Sequence, residues 1–312
     1  MSTVTFPGLG LTVHVKSIAF TVFGWPIHWY GLIIAAGFLT AVIYCSHKAD
    51  RYGVEQEDIV DILLYGVPLC ILGSRLYYVI FYLDRYRRAD GSLDFAAMLR
   101  IWDGGIAIYG TVIAGIILAL VFCYKRKISF LSLADLGAFG LMIGQLVGRW
   151  GNFVNVECYG GPTSLPWRMG IYDTIDGVYQ YMEVHPTFLY ESLWNLVGFL
   201  FLALVVEKHR KFDGEIFLGY MAWYGLGRAW IEGLRTDSLY FFSTGLRVSQ
   251  VLALIFFVAA VIALIVLARR PHRPEELWGN RVAARKAAEA RAKVVKTETE
   301  AETEGEDDHD ET

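Results

Sequence analysis

The sequence predicts an all-α integral membrane protein: seven transmembrane helices, a loop-rich head on the outer face and a disordered cytoplasmic tail. Three observations predict it. The 312 residues are 55% hydrophobic and 15% aromatic with a mean hydropathy of +0.40, beyond what ordinary soluble domains carry. Seven stretches approach the roughly 20 apolar residues that a spanning helix needs. Lys and Arg are shared unevenly between alternate connections. A compact cytosolic enzyme is excluded, and so is nucleic-acid binding through bulk charge. The net charge of -4 is itself an average, because residues 297–312 hold nine Asp and Glu and no Lys or Arg, leaving +5 on residues 1–296.

The spans are expected at 28–45, 62–82, 104–124, 130–150, 187–206, 215–234 and 248–268. The first, third and seventh hold no charge, whereas the second carries Arg75, the fourth Asp135 and Arg149, the fifth Glu191, and the sixth Glu215, Arg228 and Glu232. The connections 46–61, 125–129 and 207–214, with everything after 268, hold 17 Lys and Arg, against 8 in the N-terminal segment, 83–103, 151–186 and 235–247. The positive-inside rule then sets the N-terminus outside and the C-terminus in the cytoplasm. The segment 83–103, with four Arg, is the one connection that runs against it.

Three regions follow: a seven-helix transmembrane domain 1–268 whose outer head is 151–186, a basic and helical juxtamembrane segment 269–296 near anionic lipid heads, and an acidic tail 297–312 with too little apolar surface to fold. Cys45, Cys70, Cys123 and Cys158 form no CxxC pair and read as free thiols. Lys16 comes too late to open a removable signal peptide, so the first helix is expected to serve as the signal.

Ionisable groups inside a bilayer cost roughly 2.5–3.5 kcal/mol each even on the lenient insertion scale, which makes them functional candidates. Arg149 lies at a helix end and could snorkel. Arg228 and Glu232 stand at i and i+4 on one face, with Tyr224 one turn earlier. Arg75 and Asp135 read as a buried structural pair. Gly137, Gly140, Gly144, Gly148 and Gly151 leave a groove bare of side chains, which suits close helix packing. Directly after it come Arg149, Asn152, Asn155, Glu157 and Gly160. A planar cation, two amides and a carboxylate in nine residues suit a phosphate and its hydroxyl-bearing head.

This block, Gly148-Arg149-Trp150-Gly151-Asn152-Phe153-Val154-Asn155-Val156-Glu157-Cys158-Tyr159-Gly160, resembles the signature of bacterial prolipoprotein diacylglyceryl transferases, with every fixed position filled. Similar blocks run from Ile27 to Gly31, Trp102 to Gly105, His185 to Glu191, and Tyr224 through Arg228 and Glu232 to Arg235-Thr236-Asp237. The resemblance covers about 15–268. It implies a seven-span enzyme of the bacterial cytoplasmic membrane that moves an sn-1,2-diacylglyceryl group from phosphatidylglycerol to the lipobox cysteine of a prolipoprotein. A thioether forms, glycerol 1-phosphate leaves, and no cofactor or metal takes part. Its partners are phosphatidylglycerol, the precursor's signal peptide and lipobox, and the bilayer.

On that basis Arg149 and Arg228 are expected to bind phosphate and stabilise its growing charge, with Glu232 orienting Arg228. Asn152, Asn155, Glu157 and Gly160 would form the glycerol-head site. Tyr30 and Tyr109 are candidate hydrogen-bond donors or proton relays, although a phenol titrating near 10 is a poor base; many family members carry His in the block where Tyr109 stands. His185 is read first as a loop cap and second as a contact for the peptide or its proton. Cys158 lacks a neighbouring base in the sequence and reads as packing. A transporter using Arg228 and Glu232 as an anion site is the main rival reading. A retinal protein lacks its Lys on the seventh helix, and zinc proteolysis lacks HExxH.

Overall fold

The computed structural model describes residues 2–88, 90–175, 178–236 and 247–307, with side chains to residue 296 apart from Ile175. Four strands open the chain, β1 (Ser2–Phe6), β2 (Leu11–Val15), β3 (Ile18–Val22) and β4 (Trp25–His28). They are followed by α1 (Trp29–Lys48), α2 (Gln56–Phe81), the short α3 (Phe95–Leu99), α4 (Ile108–Arg126) and α5 (Phe130–Asn155). Next come β5 (Met169–Ile175), β6 (Val178–Val184), α6 (Thr187–Phe201), α7 (Glu215–Ile231), α8 (Val248–Ala268) and α9 (Trp278–Asp307). Two compact units result, residues 1–48 with 134–277, and 49–133 with 278–312.

The all-α expectation is corrected. β2, β1, β5 and β6 form an antiparallel four-stranded sheet in that order, with Thr5 opposite Gly170 and Met169 opposite Val184. β3 and β4 pair separately. Segments such as Thr3-Val4-Thr5 and Thr12-Val13 are β-branched, and Val4 is buried between two partly buried threonines, a short strand signal that is lost in a hydropathy window of about 20 residues. The head at 151–186 therefore contributes two of the sheet's four strands. Its core of Val4, Val15, Met169, Ile171, Val184 and Phe188 packs on Phe153, Val154 and Leu189. The sheet thus fixes the last turns of α5 and the first turn of α6.

Among the described residues six helical stretches are long and apolar enough to cross a membrane: Trp29–Tyr52, Gln56–Phe81, Ile108–Arg126, Phe130–Asn155, Thr187–His209 and Val248–Ala268. α7, expected as a span over 215–234, has 17 residues and passes into a 3-10 turn at Glu232–Leu234. At 1.5 Å per residue it reaches about 26 Å. α4 begins four residues later than predicted, because Gly104 and Gly105 hold positive φ of 82° and 76° outside the helix.

In the first unit α6 and α7 are locked by two indoles. Trp194 donates to the Trp223 carbonyl at 2.9 Å, Trp223 donates to the Trp194 carbonyl at 2.8 Å, and the rings stack at 4.7 Å. Glycines make the room, since a Cβ on Gly227 would strike the Trp194 ring and one on Gly198 the Trp223 ring. Pinned at their N–H groups, the indoles cannot swing aside. Gly198→Ala and Gly227→Ala are each expected to destabilise the protein by about 1–3 kcal/mol through overpacking. Thermal denaturation in detergent checks this, and unchanged melting would mean that the rings yield.

The glycine groove of α5 is used in part. Added Cβ atoms on Gly140, Gly148 and Gly151 would meet Cys45, Ile34 and Tyr30 of α1, while Gly137 and Gly144 face open space. Small residues let α1 lie close to α5, as membrane helices without an internal hydrophobic drive require.

In the second unit α2 and α4 approach until a Cβ on Gly110 would collide with the Gly73 carbonyl. The expected Arg75–Asp135 pair is corrected. Arg75, buried on α2, sends all five guanidinium N–H groups to the carbonyls of Ala97, Met98, Arg100, Gly104 and Gly105, at 2.5–3.0 Å. Asp135 is fully buried in the first unit and accepts from the backbone N–H of Gly214 and Phe217, each at 2.8 Å.

α9 docks through Trp278, which donates to the Gly53 carbonyl at 3.2 Å, and through Lys286 to Glu55 at 3.0 Å. Its backbone stays helical to Asp307, where disorder was expected from residue 297. Ala and Glu are good helix formers, and extending a helix avoids the cost of nucleating one. Residues 308–312 of the expected tail lie outside the described residues.

Candidate active site

The site is assembled where α5 ends, α6 begins and α7 ends. The block after the groove finishes α5, so Arg149 and Asn152 occupy its last two turns. Trp150 donates to the Ser192 hydroxyl at 3.1 Å, and Ser192 donates to the Leu146 carbonyl at 2.9 Å, tying α5 to the second turn of α6. That register turns Arg149 towards Glu191, and the paired indoles turn Glu191 towards α7.

Glu191, 6% exposed, is the centre. One carboxylate oxygen pairs with Arg149; the other lies 3.4 Å from Arg228 and 3.5 Å from Arg235. Arg228 also bonds Glu232 at 2.5 Å across the predicted i, i+4 step. Among the described residues, three guanidinium groups are thus held together by two buried carboxylates, a formal balance of +1. Among partly buried side chains such pairs are short and strong, and three cations would not gather there without them.

A second chain of contacts leads outward. Arg149 is 3.4 Å from the Asn152 carbonyl oxygen, and the Asn152 amide donates to Glu157 at 2.8 Å. Beyond α5 the backbone turns through left-handed conformations at Val156 and Cys158, with φ of 53° and 59°. Non-glycine residues in that region mark strain, which clusters at functional sites. Beside this turn lies a cavity of about 240 Å³ lined by Val156, Glu157, Cys158, Tyr159, Asp173 and Thr236.

The structure therefore brings together Arg149, Asn152, Glu157, Arg228 and Glu232. The Tyr30 ring lies against the backbone of Gly151, between Arg149 and Asn152 in the chain. Gly160 has a packing reason: its N–H donates to the His185 carbonyl at 2.9 Å, and a Cβ there would meet His185 and the Leu234 carbonyl. With Gly161 bonded to Leu234 at 2.8 Å and Gly160 bridged to Arg235, this segment braces Arg235. His185 shares that brace and lies 3.2 Å from the Tyr190 hydroxyl; burial pushes its imidazole below the usual value of about 6.5. The neutral ring at pH 7 suits the loop-cap reading.

Asn155 ends α5 in an exposed position. Tyr109 belongs to the second unit, in the first turn of α4, half exposed and with its ring 6.1 Å from that of Tyr77. The Cys158 carbonyl accepts from the Thr187 hydroxyl, a structural use of that residue. Glu191 and Arg235 are what sequence reasoning undervalued. Arg235 continues the 228, 232 spacing by three residues, the signal that could have drawn it in. Asp237, in the same sequence block, lies outside the described residues. Among the described residues no group of three His, Cys, Asp or Glu side chains is placed to hold a metal ion.

The profile of the family described as prolipoprotein diacylglyceryl transferase matches residues 17–266, which include the whole of this cluster. The chain belongs to that family. Three similar proteins, each named phosphatidylglycerol–prolipoprotein diacylglyceryl transferase, come from Enterococcus faecalis, Finegoldia magna and Oceanobacillus iheyensis. The first is 42% identical over 271 residues, covering 84% of this chain and 94% of its own. The second is 43% identical over 245 residues, covering 78% and 93%. The third is 43% identical over 249 residues, covering 77% and 83%. In this prolipoprotein diacylglyceryl transferase family member the matched region begins inside the N-terminal strands and stops at the end of α8, leaving α9 beyond it.

Proposed function

We propose that this protein transfers the sn-1,2-diacylglyceryl group of phosphatidylglycerol to the lipobox cysteine thiol of prolipoproteins, the first step of lipoprotein maturation. The observation that carries the proposal is the convergence of Arg149, Arg228 and Arg235 on Glu191. Relatives that share most of the chain bear the name of this activity.

The reaction is displacement at an sp3 carbon. The sulfur forms a C–S bond with the glyceryl carbon, the C–O bond to phosphate breaks, and its electron pair leaves with glycerol 1-phosphate. The thiol proton passes to an acceptor. The phosphate goes from one formal negative charge as a diester to two as a monoester. Guanidinium groups fixed beside it favour that increase without reorganising. Arg149 and Arg228 supply the planar forks, Glu232 orients Arg228, and Asn152, Asn155 and Glu157 receive the glycerol head. Tyr30 and Tyr109 serve as hydrogen-bond donors or proton relays, and His185 caps the loop, with contact to the peptide as its second role.

We place the enzyme in the bacterial cytoplasmic membrane with α7 as a seventh span, the N-terminus outside and the C-terminus in the cytoplasm. The Lys and Arg asymmetry of the connections supports this orientation. The test is incubation of the purified protein with phosphatidylglycerol and a lipobox peptide. A mass gain of one diacylglyceryl group on the cysteine is expected. Ligand flux across a vesicle without any adduct would overturn the reading in favour of transport.

A further inference from the structure

A second cavity lies at the other end of the first unit. It measures about 320 Å³ and is bounded by Arg210 and Lys211, which precede α7, and by Arg270, His272 and Arg273, which follow α8. Among the described residues no carboxylate lines it. Its walls are fastened. Arg210 is 3.4 Å from the buried Asp135 and 3.8 Å from Asp213, while His272 stacks on Phe212 at 5.1 Å and lies 2.7 Å from the Leu267 carbonyl. The two basic segments are held as a formed concavity.

Its position is set by three helices. α5 runs from Asp135, beside Arg210, to Arg149; α7 runs from Gly214, also on Asp135, to Arg228. Fourteen residues separate Asp135 from Arg149, about 21 Å along the axis. Near the start of α8, Gln250 donates to the Ala229 carbonyl at 2.7 Å, and the helix ends at the basic cavity. The cavity therefore lies at the opposite ends of these helices from the Glu191 cluster. The α8 span, with mean hydropathy 3.3, presents Ile262, Ile265 and Val266 to its surroundings just before the basic residues begin.

We propose that this cavity binds the headgroup of an anionic phospholipid in the leaflet opposite the active site, with Lys211, Arg270 and Arg273 on the phosphate and the acyl chains along α8. Arg210 has its charge balanced by Asp135 and Asp213, so it shapes the wall; the other three supply the attraction. The volume falls in the range of small-ligand sites. A basic headgroup site adjoining an apolar helix face selects an amphipathic anion over a soluble one.

The test uses dioleoyl phosphatidylserine, with dioleoyl phosphatidylcholine as the uncharged comparison, and native mass spectrometry of the purified full chain. The triple variant Lys211→Gln, Arg270→Gln, Arg273→Gln is expected to retain phosphatidylserine about tenfold less than the wild type, with phosphatidylcholine unchanged. If the triple variant melts lower than wild type, the single Arg270→Gln and Arg273→Gln, both at exposed side chains, are read in the same way. Equal retention by variant and wild type would overturn the proposal. Displacement of phosphatidylserine by millimolar inorganic phosphate would also overturn it, since the phosphate group alone would then be what the cavity reads.

Discussion

Arg149→Lys and Arg228→Lys are each expected to lower kcat/KM for transfer to a lipobox peptide by about 10²–10³-fold, or roughly 2.7–4 kcal/mol of transition-state stabilisation. Both replacements keep the charge, so simple attraction of an anionic lipid survives. What they lose is geometry. Arg228 reaches Glu191 with one nitrogen and Glu232 with another, and Arg149 reaches Glu191 with one and Asn152 with another. An ammonium group is a compact charge that cannot span two acceptors set apart in one plane. The losses should fall mainly on kcat, because the phosphate gains its second charge only as the C–O bond breaks. The measurement is initial velocity against phosphatidylglycerol concentration. Near wild-type turnover in both variants would mean that charge alone suffices and that the guanidinium clamp is wrong.

The polar part of this arrangement was legible in the chain because charge inside an apolar stretch has few explanations. Arg228 and Glu232 stood out on that ground, and their i, i+4 spacing became an ion pair; Arg149, at a helix end, stood out through the polar block that follows the glycine groove. Asn152 and Glu157 were legible as a cluster, and they are bonded to one another. Two kinds of feature escaped. The first is short-range order with a different period: β1 and β2 are five residues each, too brief to disturb a hydropathy reading. The second is partnership across the sequence. Nothing local tells Arg75 to take five carbonyls of a neighbouring loop in place of a carboxylate. In the same way, Glu191 is one charge on its own helix and becomes central only when α5 and α7 each bring an arginine to it.

That centrality carries the second large expectation. Glu191→Gln removes the carboxylate that Arg149, Arg228 and Arg235 share, and among the described residues it takes the formal balance of the cluster from +1 to +2. Removing one partner of a buried ion pair costs about 3–5 kcal/mol, because the remaining charge is left uncompensated. Glu232 still holds Arg228. Stability should fall, and kcat should fall about 10²–10³-fold as the arginines lose their fixed directions. The KM for phosphatidylglycerol should not rise with it, since the extra positive charge favours the anionic ground state. That split separates a positioning role from a merely structural one, in which partial unfolding would scale down active enzyme and leave the per-molecule kcat intact. Glu191→Asp keeps the charge on a stem one carbon shorter, and it should recover stability more fully than turnover. A Glu191→Gln enzyme with wild-type kcat would show that the three guanidinium groups find their places without the carboxylate.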